Sequence, residues 1–471
     1  MKYLVILFLL GVQTLWAKKP NIILIMTDDQ GWGQTGYYKH PVLKTPNLDA
    51  MAKNGLRLDR FYAGAPVCSP TRASVLTGRA NDRTGVPSHG KAMRLPERTI
   101  ASALQKAGYA TGHFGKWHLN GLRGAGVPVL KDDPYGPAGF GFETWMTATN
   151  FFDLDPLMGS HDGVHQFEGD SSQVIVGEAI KFMKSQLAKE KPFFTVIWDG
   201  SPHDPFEASE ADMAPFVDLD KRSAQHYAEL VAFDRSVGLL RKTLRDLGAA
   251  EDTILWFCSD NGGLPRIKPS TTGGLRGNKG TVWEGGLRVP GIVEWPAGIK
   301  PRVTSYPAST MDIFPTIVDL LDLPEESLLK PVDGESLKTL FTKELKKREN
   351  PIPFHFLGKG ALVDNQFKLA SLKISKDEFA LYDLGKDPGE TTDVSGEHPE
   401  RFKKMVGLYR TWFQSVQNSI AGKDYPDDFD PKSVPESKFW VKDPRYQAFF
   451  ESWKQYPGFQ KVYKETKRRA K

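Results

Sequence analysis

Residues 21–29 read Asn21-Ile22-Ile23-Leu24-Ile25-Met26-Thr27-Asp28-Asp29, a short unbroken apolar run that ends in two adjacent carboxylates. Its length and isoleucine content suit a strand buried on both faces better than a helix. Working outward, residues 110–114, 193–198 and 253–258 form runs of the same kind. Between them, residues 45–54, 99–107, 174–189 and 224–247 carry helical periodicity, the last with Leu230, Phe233, Val237 and Leu240 spaced to lie on a sheet. Strands alternating with helices predict an α/β fold with a mostly parallel sheet flanked by helices. In such sheets ligands bind beyond the carboxyl ends of the strands. The residues at those ends are Asp28-Asp29, Lys116 with His118, His203-Asp204 and Asp260-Asn261.

With 471 residues, 40% hydrophobic and 25% charged, the chain has the composition of a folded globular protein with a large domain and a smaller companion. A formal charge of +5 gives no argument for nucleic acid as a partner. Met1-Lys2, the apolar run 3–12 and Ala17 before Lys18 read as a signal peptide over 1–17, and the run is shorter than the roughly 20 apolar residues that span a bilayer. Export to the periplasm or the extracellular space is therefore expected, with no transmembrane segment. Cys68 and Cys258 are the only cysteines, too few for a disulfide scaffold, and Cys258 sits in an apolar run as a small core residue would.

After Asp333-Gly334-Glu335-Ser336 the texture changes to short strands, 354–357, 361–363 and 367–372, with a turn at Asn365-Gln366, and then a helix over 399–420. The expected division is a catalytic domain over 18–345, an α+β subdomain with a short antiparallel sheet over 346–422, and an extension over 423–471. The extension carries Phe439, Trp440, Tyr446, Phe449, Phe450 and Trp453, too many aromatic rings for a solvated tail, so it is expected to pack on the body.

The most specific segment is Cys68-Ser69-Pro70-Thr71-Arg72-Ala73-Ser74-Val75-Leu76-Thr77-Gly78-Arg79. Ser69 and Pro70 suit a helix start and Gly78 its end, which puts Cys68 where backbone N–H groups favour negative charge. On that ground alone a low-pKa thiolate nucleophile fits as well as any other role. Cys-x-Pro-x-Arg followed by Thr-Gly-Arg, however, resembles the signature of the type I sulfatases, within the alkaline phosphatase superfamily. The resemblance continues in order through Asp28 to Gly33, Thr45 to Asp49, Gly115-Lys116-Trp117-His118, Ser201-Pro202-His203, Ser259-Asp260-Asn261-Gly262, Gly277-Asn278-Lys279-Gly280 and Glu284-Gly285-Gly286. Leu381-Tyr382-Asp383-Leu384 and Asp387-Pro388-Gly389-Glu390 resemble the family's C-terminal domain. Gln34, Asn120 and Asn278 depart from the commonest form of the pattern.

This resemblance implies an alkaline phosphatase-like fold, a large mixed, mostly parallel sheet, and hydrolysis of a sulfate monoester by a hydrated formylglycine made from Cys68. It implies that a sulfatase-maturing enzyme, such as a formylglycine-generating enzyme, acts on the chain during synthesis. The hydrate has two hydroxyls on one carbon, one to attack sulfur and one to expel sulfate as the aldehyde reforms. Asp28, Asp29, Asp260 and Asn261, with the modified Cys68, would hold a hard cation; the resemblance favours Ca2+ over Mg2+. Lys116 and His118, two apart on an expected strand, would face one small anion. By resemblance Lys116 contacts the sulfate, His118 takes the proton in the elimination, His203 is the general acid at the leaving oxygen, Lys279 binds sulfate and Arg72 holds the formylglycine. Rival readings are a phosphate or phosphonate ester hydrolase of the same architecture and a binder of sulfated glycans without turnover. The expected substrate is a sulfated saccharide; the loop 150–169, with His161, Asp162 and His165, reads first as a plain surface loop and second as a candidate to bind sugar hydroxyls or a second metal.

Overall fold

The computed structural model describes residues 19–471, so the leader expected over 1–17 lies outside the described residues. β1 (Asn21–Thr27) has every residue buried. Its side chains alternate between two cores, as the pleat of a strand requires. Ile22, Leu24 and Met26 join a cluster with Val75, Leu76, Ile100 and Ile317, whereas Ile23 and Ile25 join one with Ile175, Val176, Phe233, Val237 and Leu240. Each of these aliphatic side chains stabilises the fold by about 1.5–3 kcal/mol through burial.

Among the described residues, ten strands share β1's sheet. In chain order the others are β2 (Leu56–Leu58), β3 (Ala110–Lys116), β4 (Thr144–Ala148), β5 (Leu157–Ser160), β6 (Gly163–Gln166), β7 (Phe193–Trp198), β8 (Thr253–Ser259), β9 (Gly291–Glu294) and β10 (Arg302–Thr304). Their spatial order is β10-β2-β9-β8-β1-β7-β3-β4-β5-β6. The central strands β8, β1, β7, β3 and β4 are all parallel, with Ile25 of β1 opposite Phe257 on one side and Ile197 on the other. Antiparallel β9 flanks them at one edge, and β5 with β6 at the other. The sheet is therefore mixed and mostly parallel, as expected.

Helices α1 (Pro46–Asn54), α2 (Cys68–Thr77), α3 (Ile100–Lys106), α4 (Ser171–Leu187) and α5 (Lys221–Asp246) cover its faces. Leu230 of α5 departs from expectation: it packs with Leu43, Phe206 and Phe216 in a separate cluster, whereas Phe233, Val237 and Leu240 pack with the sheet. The loop expected over 150–169 instead contains the edge strands β5 and β6, with His165 bonded to Ser160 and His161 to the Glu143 carbonyl. Each of those two histidines thus makes a local contact through Nε2.

A second sheet, β11 (Ile352–Phe356), β12 (Lys359–Asp364), β13 (Phe367–Ser371) and β14 (Ala380–Asp383), is antiparallel throughout. Asn365, at φ 54°, makes the turn between β12 and β13, a conformation Asn tolerates better than most residues. α6 (Pro399–Ile420) lies on this sheet through Met405, Val406 and Tyr409. Beyond it, Trp440, Tyr446, Trp453 and Phe459 bury themselves against Leu122, Val127 and Leu157, and the short strand Lys438–Phe439 pairs in parallel with Leu122–Arg123. The chain ends in α7 (Pro457–Arg469). No helix among the described residues is long and apolar enough to cross a membrane.

Candidate active site

The carboxyl ends of β1, β3, β7 and β8 lie side by side, so Asp28, Lys116, the loop that carries His203, and Asp260 meet at one edge. α2 points its first residue, Cys68, into the same place. Val67 precedes it in extended conformation, and Gly78 ends the helix at φ 71° with its N–H on the Ser74 carbonyl at 2.9 Å. Glycine is needed there because a Cβ at that positive φ is strained and would press on Pro315.

Arg72, one turn along α2, donates to Asp260 Oδ2 at 2.9 Å and to the Lys116 carbonyl at 3.2 Å, while its guanidinium lies 5.1 Å from the Trp198 ring centre. Lys116 is ion-paired with Asp28, whose Oδ2 is also 3.6 Å from Arg72. Asp29 adopts φ 61°, which turns its carboxylate back toward Lys279 at 2.8 Å and the Asn261 amide at 2.7 Å. The Asp29 N–H donates to Asp260 Oδ1 at 3.1 Å. His118 Nδ1 lies 3.4 Å from Cys68 Sγ.

Burial raises the cost of every charge here, and the neighbours decide which groups stay ionised. Burial alone would raise the Asp28 carboxyl, but Lys116, His203, Arg72 and Lys279 outweigh it and hold it well below the usual range. Burial, followed by the Asp28 charge, pushes Asp260 up to about 7. Burial also pushes the Cys68 thiol up, so the low-pKa thiolate that the helix start alone would allow is not what this environment favours. His118 and His203 are both driven well below the ordinary imidazole value, first by burial and then by Lys116 and Lys279 respectively.

The structure thus brings together Asp28, Asp29, Cys68, Arg72, Lys116, His118, Asp260, Asn261 and Lys279, with His203 beside Asp28. One expectation about how they meet is corrected. His118 does not share a strand face with Lys116, because β3 ends at Lys116 and His118 sits at φ 57°. A turn, with the His118 N–H on the Thr149 carbonyl at 3.0 Å, delivers its ring to Cys68. Gln34, fully buried, accepts the Gly31 N–H at 2.8 Å and so braces the turn after Asp29. Asn120 donates to Asp133 at 3.0 Å.

Sequence reasoning missed Trp198 beneath Arg72 and Phe151, whose ring stacks on His203 at 4.4 Å and 8°. The His203 Nδ1–H donates to the Asp204 carbonyl at 2.7 Å, which fixes the ring. Trp198, as the last residue of a predicted strand, carried a usable signal; Phe151, in an irregular loop, carried none.

A hard divalent cation fits the donors present. Asp28, Cys68 and Asp260 offer ligand atoms all within 4.8 Å of one another, as do Asp28, Asp29 and His203. Asp28 Oδ1 and Asn261 Oδ1 are buried without a hydrogen-bond partner among the described residues. Such oxygens are costly to bury unless something satisfies them. Carboxylate and amide oxygens are the ligands that Ca2+ and Mg2+ prefer.

A strand-end cluster of carboxylates, lysines and histidines around a helix-start cysteine can hold a cation and a small oxyanion beside one candidate nucleophile. Residues 20–323 match the sulfatase family, and residues 277–406 match the N-sulphoglucosamine sulphohydrolase C-terminal family. The chain is 31% identical to human arylsulfatase A over 83% of its own length and 87% of that protein. It is 32% identical to mouse N-acetylgalactosamine-6-sulfatase over 93% of its own length and 98% of that protein. The crystal structure of Ps i-CgsB in complex with k-i-k-neocarrahexaose superposes at a TM-score of 0.74 with 24% identity, covering 95% of this chain and all of that one, a likeness of fold. The chain belongs to the sulfatase family, sulfuric ester hydrolases of alkaline phosphatase-like fold.

Proposed function

We propose that this sulfatase hydrolyses a sulfate monoester on a carbohydrate through a formylglycine derived from Cys68. The observation that carries the reading is Cys68 itself: it opens α2, lies 3.4 Å from His118 and shares its ligand cluster with Asp28 and Asp260. A carbohydrate substrate is supported by the relatives named for sulfated amino sugars.

Oxidised Cys68 supplies, on hydration, one oxygen to attack sulfur while the ester oxygen leaves, and a second hydroxyl whose proton is lost as sulfate departs. Asp28, Asp29, Asp260 and Asn261 would hold Ca2+, or Mg2+, which favours the ionised form of the attacking hydroxyl. Arg72 keeps Asp260 and the end of β3 in place. Lys116, ion-paired with Asp28, and Lys279, ion-paired with Asp29, bind the sulfate oxygens. His118, neutral through burial, takes the proton of the second hydroxyl. His203 has Nδ1 committed to Asp204, so its other nitrogen faces the leaving oxygen. Arrival of an anionic ester raises its pKa, and protonated there it acts as general acid.

The proposal includes a signal peptide over 1–17, export to the periplasm or outside the cell, and a sulfatase-maturing partner acting on Cys68. It also includes the division into units over 18–345, 346–422 and 423–471. The test is sulfate release from aryl sulfate and from a panel of sulfated saccharides, with an aryl phosphate as control, after mass spectrometry has verified formylglycine at position 68. Cys68→Ala should reduce the rate by at least about a thousandfold, as loss of a nucleophile does. Undiminished hydrolysis by that variant, or preference for the phosphate, would refute the reading.

A further inference from the structure

Two groups at the mouth of the site have no assigned role. The segment 88–93 runs across the entrance: the Gly90 N–H donates to Ser69 Oγ at 2.9 Å, one residue from Cys68, and the Met93 N–H donates to the Leu119 carbonyl at 3.0 Å, one residue from His118. Ala92 bridges Asn120. These contacts fix His89 and Arg123 beside one another, since the Gly90 backbone abuts the Arg123 side chain closely enough that a Cβ at Gly90 would fall 2.7 Å from its Cγ. Both residues are exposed.

Arg123 is unusual among the arginines near the site. Arg72 is spent on Asp260 and the Lys116 carbonyl, whereas Arg123 makes no ion pair and no hydrogen bond among the described residues. Its guanidinium rests on the Phe439 ring at 4.9 Å. Phe439 is held there because the strand Lys438–Phe439 pairs with Leu122–Arg123. An arginine resting over an aromatic ring can keep N–H groups free and loses less freedom on binding an oxyanion than an unsupported one. His89 lies within electrostatic reach of Arg123, Lys279 and Lys116. Desolvation, then those cations, lowers its pKa, which leaves a neutral ring with one N–H to donate.

We propose that Arg123 and His89 form a subsite for a second oxyanionic group of the substrate, a sulfate or carboxylate separate from the ester that is cleaved. This rests on the sulfatase reading above and narrows its substrate class to polyanionic saccharides. Arg123 supplies charge and a planar pair of donors, His89 a third donor, and the C-terminal extension, through Phe439, sets the orientation of the guanidinium.

Binding tests this separately from catalysis. The full chain carrying Cys68→Ala and loaded with Ca2+ is titrated calorimetrically with N-acetylglucosamine 6-sulfate, with glucosamine 2-N,6-O-disulfate and with a monosulfated uronate-containing chondroitin disaccharide. A doubly charged probe should bind about tenfold tighter than the singly charged one, the worth of one charged hydrogen-bonded pair. Arg123→Gln in the same background should erase that preference, and Arg123→Lys should retain part of it. Which doubly charged probe is preferred distinguishes sulfate from carboxylate. If Arg123→Gln fails to fold, His89→Ala, expected to lose about threefold of the preference by removing one neutral donor, gives the same reading. Equal affinity for all probes, or a preference that survives Arg123→Gln, would overturn the subsite. Aryl sulfate turnover by the mature wild type is measured in parallel: its absence beside intact preference would retire the catalytic reading and leave the subsite standing.

Discussion

Arg348–Asp312 and Arg72–Asp260 are both arginine–aspartate pairs with almost no exposure, yet they differ in how completely they are satisfied. Arg348 meets Asp312 with two hydrogen bonds, at 2.7 and 2.8 Å, and gives its remaining Nε–H to the Asn350 carbonyl at 2.6 Å. Asp312 also accepts the N–H groups of Ser309 and Glu335 at 2.7 and 2.8 Å. Arg72 meets Asp260 through one bond, at 2.9 Å; its Nε has no partner, and neither has Oδ1 of the adjoining Asp28. Asp260 has Asp28 and Asp29 as like-charged neighbours. The Arg348–Asp312 pair closes its own hydrogen bonds, and an open buried pair is penalised in low dielectric. The site instead keeps surplus carboxylate and unused donors, which only a cation and an anionic substrate together would complete.

The largest expected effect comes from the incomplete side. Asp260→Asn should lower kcat/KM for aryl sulfate by about a thousandfold or more, since it removes a proposed cation ligand and the anchor of Arg72. In chelator its melting temperature should equal or exceed that of the wild type, because one of three crowded carboxylates is gone; the rise in melting temperature on adding Ca2+ should shrink or vanish. A melting temperature that falls sharply in chelator would mean the pair is structural after all. On the complete side, Asp312→Ala should destabilise by about 3–5 kcal/mol, the cost of stranding a buried arginine, with kcat of the folded fraction unchanged. Denaturant unfolding and active-site-normalised kinetics measure the two parts.

How much of this contrast was readable beforehand depends on how local each feature is. The strands at 21, 110, 193 and 253 announced themselves as apolar runs, and the strand-end rule then led to Asp28, Asp29, Lys116, His118, His203, Asp260 and Asn261. Cys68 and Arg72 came from a helix start and a resemblance in the same segment, and Lys279 from the resemblance. What escaped was set by tertiary contact. His118 reaches Cys68 through a left-handed turn that no alternation pattern encodes. Phe151 and Arg123 matter through partners, His203 and Phe439, that lie 52 and 316 residues away in the chain. Arg348 and Asp312 carried no signal of their pairing, since nothing in a sequence separates a satisfied buried charge from a solvated one.

Asp199 lies between the two cases and sharpens the rule. Fully buried, it accepts the Gly200 and Ser201 N–H groups through Oδ1, at 2.7 and 3.1 Å, while Oδ2 has no partner. Burial, reinforced by the Asp170 charge, pushes its carboxyl up to about 7, so here the open oxygen is answered by a proton. The native state then holds a proton that the unfolded chain releases near pH 4. Stability from this group is therefore present at low pH and lost as pH rises from about 4 to about 7. Asp199→Asn, which keeps the acceptor and discards the charge, should gain on the wild type by up to about 4 kcal/mol across that window. Unfolding free energies at pH 5, 6 and 7.5 would reveal it, and a constant difference would mean that Asp199 stays ionised against an unseen cation.

The smallest effect is expected where burial is missing altogether. Arg410 and Asp377 form an ion pair with 57% of each side chain exposed, the same chemistry as Arg348 and Asp312 on the open surface. Water solvates both partners whether or not they touch, and holding two flexible side chains together costs entropy, so such pairs contribute about 0–1 kcal/mol. A double-mutant cycle with Arg410→Ala and Asp377→Ala should return a coupling in that range, shrinking further as salt is added. A coupling as large as that of Arg348 with Asp312 would show that pairing geometry, rather than burial, separates structural charges from the rest, and the unpartnered oxygens of Asp28 and Asn261 would then lose their meaning as a mark of the site.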